Sequence, residues 1–280
     1  MRNMIGMMMK IFPNDTVKML QFPGLGGDCN ISHFITTRYG GVSTGNYASF
    51  NPGAYSGDDS ICIRTNREIL SDAIGISSEK IFTPFQVHGA EVRALTSSFL
   101  SLTTAEQEKY IYGADALVTD IPGVCIAVAT ADCVPVLLYA PDKKVVAVVH
   151  AGWRGTVQYI VEKTVRFIVG RYKANPALIQ AGIGPSICKD AFEVGEEVVE
   201  AFRNAGMDLS LIMERDETTG KAHIDLWEAN RNQLLVAGVL SGNVEMAGIC
   251  TYSQCDDFFS ARRLGINSGR ILSGIVILEN

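Results

Sequence analysis

The sequence offers little of what membrane proteins and nucleic-acid-binding proteins need. No apolar run in its 280 residues reaches the roughly 18 that a membrane-spanning helix requires, so we expect no membrane contact. Lys and Arg together number 24 against 30 Asp and Glu, which gives a formal net charge of −6, and no basic stripe or block of like charge is present. Nucleic acid and anionic membranes are therefore poor candidate partners.

The chain also lacks the even number of closely spaced cysteines that is typical of a disulfide framework. It has seven cysteines, and a chain of this length needs no disulfides to stabilise its fold, so we expect reduced thiols and a cytoplasmic location. The first residues carry too short an apolar stretch, and no small-residue cleavage site, for a signal peptide. We treat residues 1–20 as a leader of unknown role.

The chain contains enough hydrophobic residues, in regular patterns, to form a full core. Hydrophobic residues make up 47% of it, and neither a linker-like segment nor an internal repeat divides it, so we predict one domain over residues 1–280. Four short runs rich in Val and Ile predict buried strands. These runs are 123–129, 133–139, 145–150 and 271–278. The second and third runs are typical of a hairpin that turns at Pro141 and Asp142.

Three other stretches combine helical spacing of apolar residues with a capping residue. They begin at Thr156, at Asp225 with Glu228 three residues on, and at Asp58 or Asp59, and they end near residue 168, near Ala237 and before Gly75. Strands and helices mix without a strict alternation. This order predicts an α+β fold in which helices flank a mixed β-sheet core.

The chain has only four histidines, and two of them share a sequence context with one cysteine. His88, Cys133 and His150 each stand at the end of a predicted element among small residues, where a side chain lies at the rim of a sheet. Two imidazoles and one thiolate with an open fourth position form a known catalytic zinc arrangement. The separations of 45 and 17 residues do not establish a shared site, and Cys133 as a buried small hydrophobe is the alternative. His33 and His223 are assigned no role.

Further polar residues surround this candidate site in sequence, each in a turn-rich or Gly-rich segment. They are Arg38, Asn51, Asp115, Asp132, Arg154, Arg262 and Arg263. An arginine in such a loop can hold a phosphate through two parallel hydrogen bonds, although a single arginine on a surface is more often solvated. Both interpretations stay open for each arginine.

Read together, these segments resemble the YfiH-like laccase-domain family, also called the multicopper polyphenol oxidase or purine nucleoside phosphorylase family. The matching motifs run in family order over roughly residues 33 to 278. They are TRYGGVS (37–43), GDD (57–59), NR (66–67), QVHG (86–89), GAD (113–115), TADCVP (130–135), HAGWRG (150–155), GIGP (182–185), FEVG (192–195) and FFSARR (258–263). The family's usual Tyr and Asp near the last motif are replaced here by Ala261 and Leu264.

The resemblance implies a fold similar to that of Cys/His deamidase toxins and a zinc ion held by the residues that match His88, Cys133 and His150. It also implies phosphorolysis of adenosine, inosine, guanosine or methylthioadenosine, and deamination of adenosine. The expected partners are therefore a purine nucleoside and phosphate, with the protein a monomer or a small homo-oligomer.

On the same basis we assign two groups of site residues. The residues expected to act in catalysis are Cys133, Asp132 and Arg154. Those expected to bind substrate are Arg38, Asn51, Gln86 and Arg262. Asp132 or Asp115 would then manage a proton, and the arginines would hold phosphate.

Other activities stay open. A copper polyphenol oxidase would use the same ligands, but a blue-copper centre needs a weak axial ligand, often Met, and the motifs contain none. Four histidines are also too few for an oxygen-reducing copper cluster, so copper is less expected than zinc. A metal-free amidase in which His150 activates Cys133 would suit the editing of peptidoglycan precursors, to which some relatives are linked. A non-enzymatic binding module is the fourth possibility.

Overall fold

Three sheets are formed by strands in residues 8–11, 17–27 and 30–279, the part of the chain that a computed structural model describes. The strands are β1 (Met8–Ile11), β2 (Lys18–Gln21), β3 (Ile31–Thr36), β4 (Ile81–Phe82), β5 (Val92–Leu95), β6 (Ala116–Thr119), β7 (Cys125–Thr130), β8 (Val134–Ala140), β9 (Val145–Ala151), β10 (Gln180–Ile183), β11 (Glu193–Val194), β12 (Met213–Arg215), β13 (Ala222–Ile224), β14 (Val244–Met246) and β15 (Ile271–Ile277). The first sheet has the order β1-β2-β3-β15-β7-β4, the second β14-β10-β8-β9-β6-β5, and the small third β11-β13-β12. The first sheet combines antiparallel pairs with one parallel pair and the second combines them with two, which confirms the predicted mixed sheet.

Helices of 4 to 15 residues accompany the sheets in the described part of the chain. They are α1 (Ser60–Ile74), α2 (Ser97–Leu100), α3 (Thr104–Ile111), α4 (Trp153–Val157), α5 (Ile160–Tyr172), α6 (Glu196–Asn204), α7 (Leu209–Ile212), α8 (Leu226–Val236) and α9 (Ala261–Leu264). Leu70 of α1 belongs to a buried cluster with Ala127 of the first sheet, whereas Val165 of α5 and Leu234 of α8 pack with Val149 of the second. With α1 on one side and α5 and α8 on the other, the order of layers is helix, sheet, sheet, helix.

The centre of the core lies between the two large sheets. Ile126 and Ile275 of the first sheet share a buried cluster with Leu137 and Val148 of the second. The neighbouring Val136 belongs instead to the cluster under α5 and α8, because successive side chains of a strand point to opposite faces. Both faces of β8 and β9 are thus covered. This is why these strands appear in the sequence as continuous apolar runs rather than as alternating ones.

The four predicted strands are β7, β8, β9 and β15, each within two residues of its predicted bounds. The β8–β9 pair is antiparallel with Ala140 opposite Val145, so the chain turns over residues 141–144 as predicted. The start of α1 is also confirmed. The carboxylate of Asp59 accepts hydrogen bonds from the backbone N–H groups of Ile61 and Cys62, a cap that stabilises a helix by about 1 kcal/mol.

Two predicted helix starts differ from the structure. Thr156 does not cap a helix: it lies inside α4, which already begins at Trp153, and its hydroxyl donates to the carbonyl oxygen of Gly152 at 3.0 Å. The chain then breaks at Tyr159, in a left-handed conformation, before α5 begins. At α8, Asp225 accepts the Glu228 N–H at 2.9 Å as expected. The Glu228 carboxylate, however, accepts a hydrogen bond from Arg231 and not from the backbone N–H of Asp225. The structure therefore shows the cap by Asp225 without the return bond that would complete a capping box.

The predicted leader, residues 1–20, includes the edge of the first sheet. Strand β1 pairs with β2 in antiparallel register, with Met8 opposite Gln21. Residues 1–7 and 12–16 lie outside the described residues. Among the helices described, none combines the length and the apolar character that crossing a bilayer takes.

Candidate metal centre

Strand register brings together residues that are far apart in sequence. His150 lies opposite Pro135 in the β8–β9 pair, so Cys133, two residues before Pro135, stands at the same end of the hairpin. His88 comes from the loop between β4 and β5. The ligand atoms of His88, Cys133 and His150 all lie within 4.8 Å of one another, and this is the one potential metal-binding group found among the described His, Cys, Asp and Glu. The structure therefore places the three predicted ligands side by side.

One buried carboxylate orients two of these side chains. Asp115, immediately before β6, has its Oδ1 2.7 Å from Nδ1 of His150 and accepts the backbone N–H of His88 at 3.0 Å. Its Oδ2 accepts the N–H of Gly89 at 2.6 Å. A carboxylate on Nδ1 keeps the proton of a neutral imidazole there and leaves Nε2 as the ligand atom. Both oxygens of the Asp115 carboxylate therefore hold parts of the site in position, and its expected role in proton transfer stays a prediction.

The backbone around the site takes conformations that ordinary residues avoid. His88 has a φ of 60° and Asp132 a φ of 87°, in the left-handed region that costs a non-glycine residue about 1 kcal/mol or more. The hydrogen bonds that backbone N–H groups of the His88 loop donate to Asp115 hold the loop in this shape. A Cβ at Gly152 would lie 3.0 Å from Sγ of Cys133 and 3.1 Å from Cδ2 of His88, so only glycine leaves the ligands their space.

The thiol and the imidazole stabilise each other's charged forms. Burial opposes ionisation of Cys133, but the charge of His150 and hydrogen bonds from both histidines outweigh it and lower the pKa of the thiol to about 6. Burial likewise disfavours the imidazolium of His150. The nearby Cys133 thiolate and the hydrogen bond to Asp115 nevertheless raise its pKa to about 9. The site therefore favours a thiolate, the form of cysteine that binds metals.

This donor set fits a zinc ion. Bonds of about 2.0 to 2.3 Å in a tetrahedral site place donor atoms about 3 to 4 Å apart. A spread of at most 4.8 Å among the three donors is within reach of small side-chain rotations. The Asp115–His150 contact supplies the outer hydrogen bond that metal-bound histidines usually make.

The three side chains line a cavity of about 570 Å³, a volume typical of small-molecule sites. Three other predicted site residues line it too. Asp132 accepts the Thr251 hydroxyl at 2.7 Å and the backbone N–H of Arg262 at 2.6 Å. Gln86 has both ends of its amide bonded to the backbone of Ala129, so it braces the wall more than it reaches into the cavity. The Arg262 guanidinium donates to the Glu193 carbonyl oxygen at 3.2 Å.

Two residues expected to bind substrate, Arg38 and Asn51, do not line the cavity, and their contacts explain why. The Arg38 guanidinium donates to the carbonyl oxygens of Ala48 and Cys255, at 2.8 and 2.5 Å. Asn51 is fully buried, where its side chain donates to Asp58 and accepts the backbone N–H of Arg270. Both residues hold loops together and neither lines the cavity, whereas their expected contact with substrate stays a prediction.

Arg154, expected to act in catalysis from within the cavity, is exposed on α4. Its guanidinium lies 4.4 Å from the ring centroid of Trp153. Arg154 is not among the residues that line the cavity, and its expected role in catalysis stays a prediction.

The sequence analysis missed Arg270 and the aromatic part of the wall. Arg270 lines the cavity, where burial lowers the pKa of its guanidinium, and donates to the carbonyl oxygens of Ser268 and Ile266. Tyr55 and Phe85 also line it, with ring centroids 5.0 Å apart. The available signal for Arg270 was the same one used for Arg154, a glycine beside an arginine at an element end.

Comparison with known proteins gives consistent matches over most of the chain. The family model described as multi-copper polyphenol oxidoreductase laccase matches residues 32–278. A protein of Bacteroides thetaiotaomicron named purine nucleoside phosphorylase is 50% identical over 260 residues, which cover 93% of this chain and 96% of that protein. A protein of an unknown prokaryotic organism named adenosine deaminase is 45% identical over 246 residues, covering 88% and 93%.

Solved structures show the same fold. The crystal structure of YlmD from Geobacillus stearothermophilus matches with a TM-score of 0.85 and 34% sequence identity, covering 93% of this chain and 96% of that one. A structure of the Bacillus licheniformis protein YfiH matches with a TM-score of 0.84 and 29% identity.

Proposed function

The chain belongs to the multi-copper polyphenol oxidoreductase laccase family, the family that its motifs resemble, and on that premise we propose that it is a zinc-dependent enzyme of purine nucleosides. It cleaves the glycosidic bond with phosphate and deaminates adenosine. The names of the two relatives, purine nucleoside phosphorylase and adenosine deaminase, support these two activities. The observation that carries the proposal is the convergence of His88, Cys133 and His150 on one wall of the cavity.

In this proposal His88, Cys133 and His150 hold the zinc ion. When bound, zinc supplies a Lewis acid that polarises an oxygen or lowers the pKa of water. The chain's own contribution is preorganisation. Asp115 keeps the His150 ring and the His88 loop in place, and Gly152 leaves room between the ligands.

The aromatic wall binds the purine. Tyr55 and Phe85 lie edge to face, and Tyr112 stacks on Phe85 with centroids 4.9 Å apart, so the ring of Phe85 is held on two sides. Stacking of a base on an aromatic side chain contributes about 1 to 3 kcal/mol. Phe192 and Ile266 extend the apolar lining. A rigid aromatic surface of this kind suits a flat base.

Positive charge for phosphate comes from Arg262 and Arg270, the arginines that line the cavity. This assignment replaces Arg38 and Arg154. A guanidinium that is already bonded to backbone carbonyls is fixed in direction, so it binds an anion with little further loss of side-chain entropy.

Asp132 handles the proton. Of the described residues that line the cavity, it is the one carboxylic acid, and it directly precedes Cys133. Hydrogen bonds from Thr251 and from the Arg262 backbone hold it in position. A fixed carboxylate beside the reacting groups is what general acid–base catalysis needs.

The small number of histidines supports a zinc site over a multicopper cluster. His33 is buried, and its Nε2 accepts the backbone N–H of Phe22 at 2.8 Å. His223 has its Nδ1 3.1 Å from the carbonyl oxygen of Lys189, in the third sheet. Two imidazoles then remain for a metal, whereas an oxygen-reducing cluster of several copper ions needs more.

The test measures metal content and nucleoside turnover in one preparation. We expect about one zinc per chain, release of adenine from adenosine when phosphate is added, and formation of inosine without it. A chelator should suppress both products in parallel. If the chelator abolished inosine formation but left phosphorolysis intact, the proposal that one metal site serves both reactions would be overturned. Stoichiometric copper with blue absorption would favour the oxidase.

A matched pair of variants completes the test. Cys133→Ala should lose zinc and both activities yet stay folded, whereas Cys62→Ala, at a partly exposed position on α1, should keep all three properties. Retention of zinc by Cys133→Ala with loss of turnover would identify Cys133 as a nucleophile. Full turnover in that variant would refute both roles.

A further inference from the structure

Two cysteines that the metal centre does not use lie against each other. The backbone N–H of Cys188 donates to Sγ of Cys250 at 3.3 Å. Because an amide nitrogen is about 1.5 Å from its own Cα, that sulfur lies at most about 4.8 Å from the Cα of Cys188. The segments are also tied by a parallel bridge between Ser186 and Cys250. This proximity is of the kind a disulfide requires.

Each cysteine adjoins a residue that holds Asp132. The backbone N–H of Ile187, next to Cys188, donates to the Asp132 carbonyl oxygen at 3.0 Å. The hydroxyl of Thr251, next to Cys250, donates to the Asp132 carboxylate at 2.7 Å. Any contraction between the two sulfurs therefore acts on a hydrogen bond to the Asp132 backbone and on one of the two hydrogen bonds to its carboxylate, the other being donated by the backbone N–H of Arg262.

We propose that Cys188 and Cys250 form a redox-active pair that a hydroperoxide closes into a disulfide, and that closure lowers turnover by displacing Asp132. The second half of this proposal rests on the proposed function. The first half, the formation of the disulfide, does not.

The chemistry balances with hydrogen peroxide as oxidant. The Cys250 thiolate attacks one peroxide oxygen, the O–O bond breaks, and the departing oxygen leaves as water after taking a proton. This produces a sulfenic acid on Cys250. The Cys188 sulfur then gives up its proton and attacks Sγ of Cys250, the S–O bond breaks, and a second water leaves. Two thiols are oxidised and one peroxide is reduced to two waters.

The surroundings of the pair favour this reaction. The hydrogen bond from the Cys188 thiol, helped by the Cys188 backbone N–H, lowers the pKa of Cys250, and reactive cysteines are those held as thiolates. Cys250 is buried, and an oxidant reaches it from the side of Cys188, which is partly exposed. Cys125 offers the contrast: burial within the first sheet raises the pKa of its thiol to about 12, so it stays unreactive.

The experiment treats the full zinc-loaded chain with stoichiometric hydrogen peroxide and maps its peptides without reduction. We expect a Cys188–Cys250 cross-link, a fall in nucleoside turnover of about 5-fold or more, and recovery of both with dithiothreitol. Cys188→Ser should form no cross-link and keep its turnover under peroxide. Cys250→Ser serves as the second disulfide-blocked variant, and Cys62→Ser is the control that should behave like the wild type.

Three results would overturn the proposal. One is that both thiols stay free on the peptide map. Another is that the cross-link forms with turnover unchanged. The third is that Cys188→Ser loses turnover under peroxide as the wild type does, which would place the damage at Cys133. A preparation without any nucleoside turnover would refute the proposed function, while the peptide map would still decide whether the pair closes.

Discussion

The Asp115 carboxylate lies 2.7 Å from Nδ1 of His150, and both side chains are withdrawn from solvent. The same carboxylate accepts backbone N–H groups from the His88 loop, so one acidic residue connects two strands and a loop. His150 and His88 are 62 positions apart in the chain. The alignment of these two candidate ligands therefore depends on a third residue that is not itself one of the candidates.

Asp115→Asn should weaken zinc binding by about 10- to 100-fold, because the amide cannot accept every hydrogen bond that the carboxylate does and its NH₂ group faces backbone donors. Competition against a chromophoric zinc chelator measures this. Asp120→Asn, the same chemical change at an exposed position, is the matched control. Unchanged zinc affinity in Asp115→Asn would show that the His150 ring needs no such partner.

Gly152→Ala should lower zinc affinity by about 10-fold or more, since its methyl group would lie 3.0 Å from Sγ of Cys133 and force the ligand to move. Gly170→Ala is the control. Gly170 lies in α5 with no heavy atom within 4 Å of an added Cβ, so that change should stabilise the protein by about 0.5 to 1 kcal/mol. Metal titration and thermal unfolding of both variants check this pair, and equal zinc affinity would contradict the steric argument.

Arg38→Met should destabilise the protein by about 2 to 3 kcal/mol without a specific effect on the phosphate requirement. It removes hydrogen bonds to two carbonyl oxygens and the contact with the Phe259 ring, 4.9 Å away. Arg154→Met, at an exposed site, should change stability by less than about 0.5 kcal/mol. Denaturant unfolding and phosphate KM values measure both. A large rise in phosphate KM for Arg38→Met with stability intact would restore its predicted role.

Asp132→Asn should reduce turnover by about 100-fold or more while zinc content stays at one per chain, because the amide cannot exchange a proton. Asparagine tolerates the left-handed backbone found at this position, so the fold should persist. Thr251→Val removes one hydrogen bond to the carboxylate and should cost only about 5-fold. Turnover at the wild-type level in Asp132→Asn would reduce Asp132 to a structural brace.

The strands and the ligand set could be predicted because their signals are local. Runs of Val and Ile identify β7, β8, β9 and β15 wherever they lie in space, since burial on both faces demands apolar residues at every position. His88, Cys133 and His150 stand out because each ends an element among small residues. The hairpin turn at residues 141–144 then determines the register that places Cys133 next to His150.

The sequence by itself determined the α+β class, the hairpin and the three metal-binding candidates, and its motifs pointed to the family. Only the tertiary structure decided which arginines reach the cavity. A guanidinium sits on a long flexible stem, and its direction depends on acceptors elsewhere in the chain: Arg38 is held by the carbonyl of Cys255, 217 residues away. Arg270 is held by its own loop against the cavity instead. Such contacts leave no periodic trace in the sequence, because they depend on packing between segments and not on neighbours along the chain.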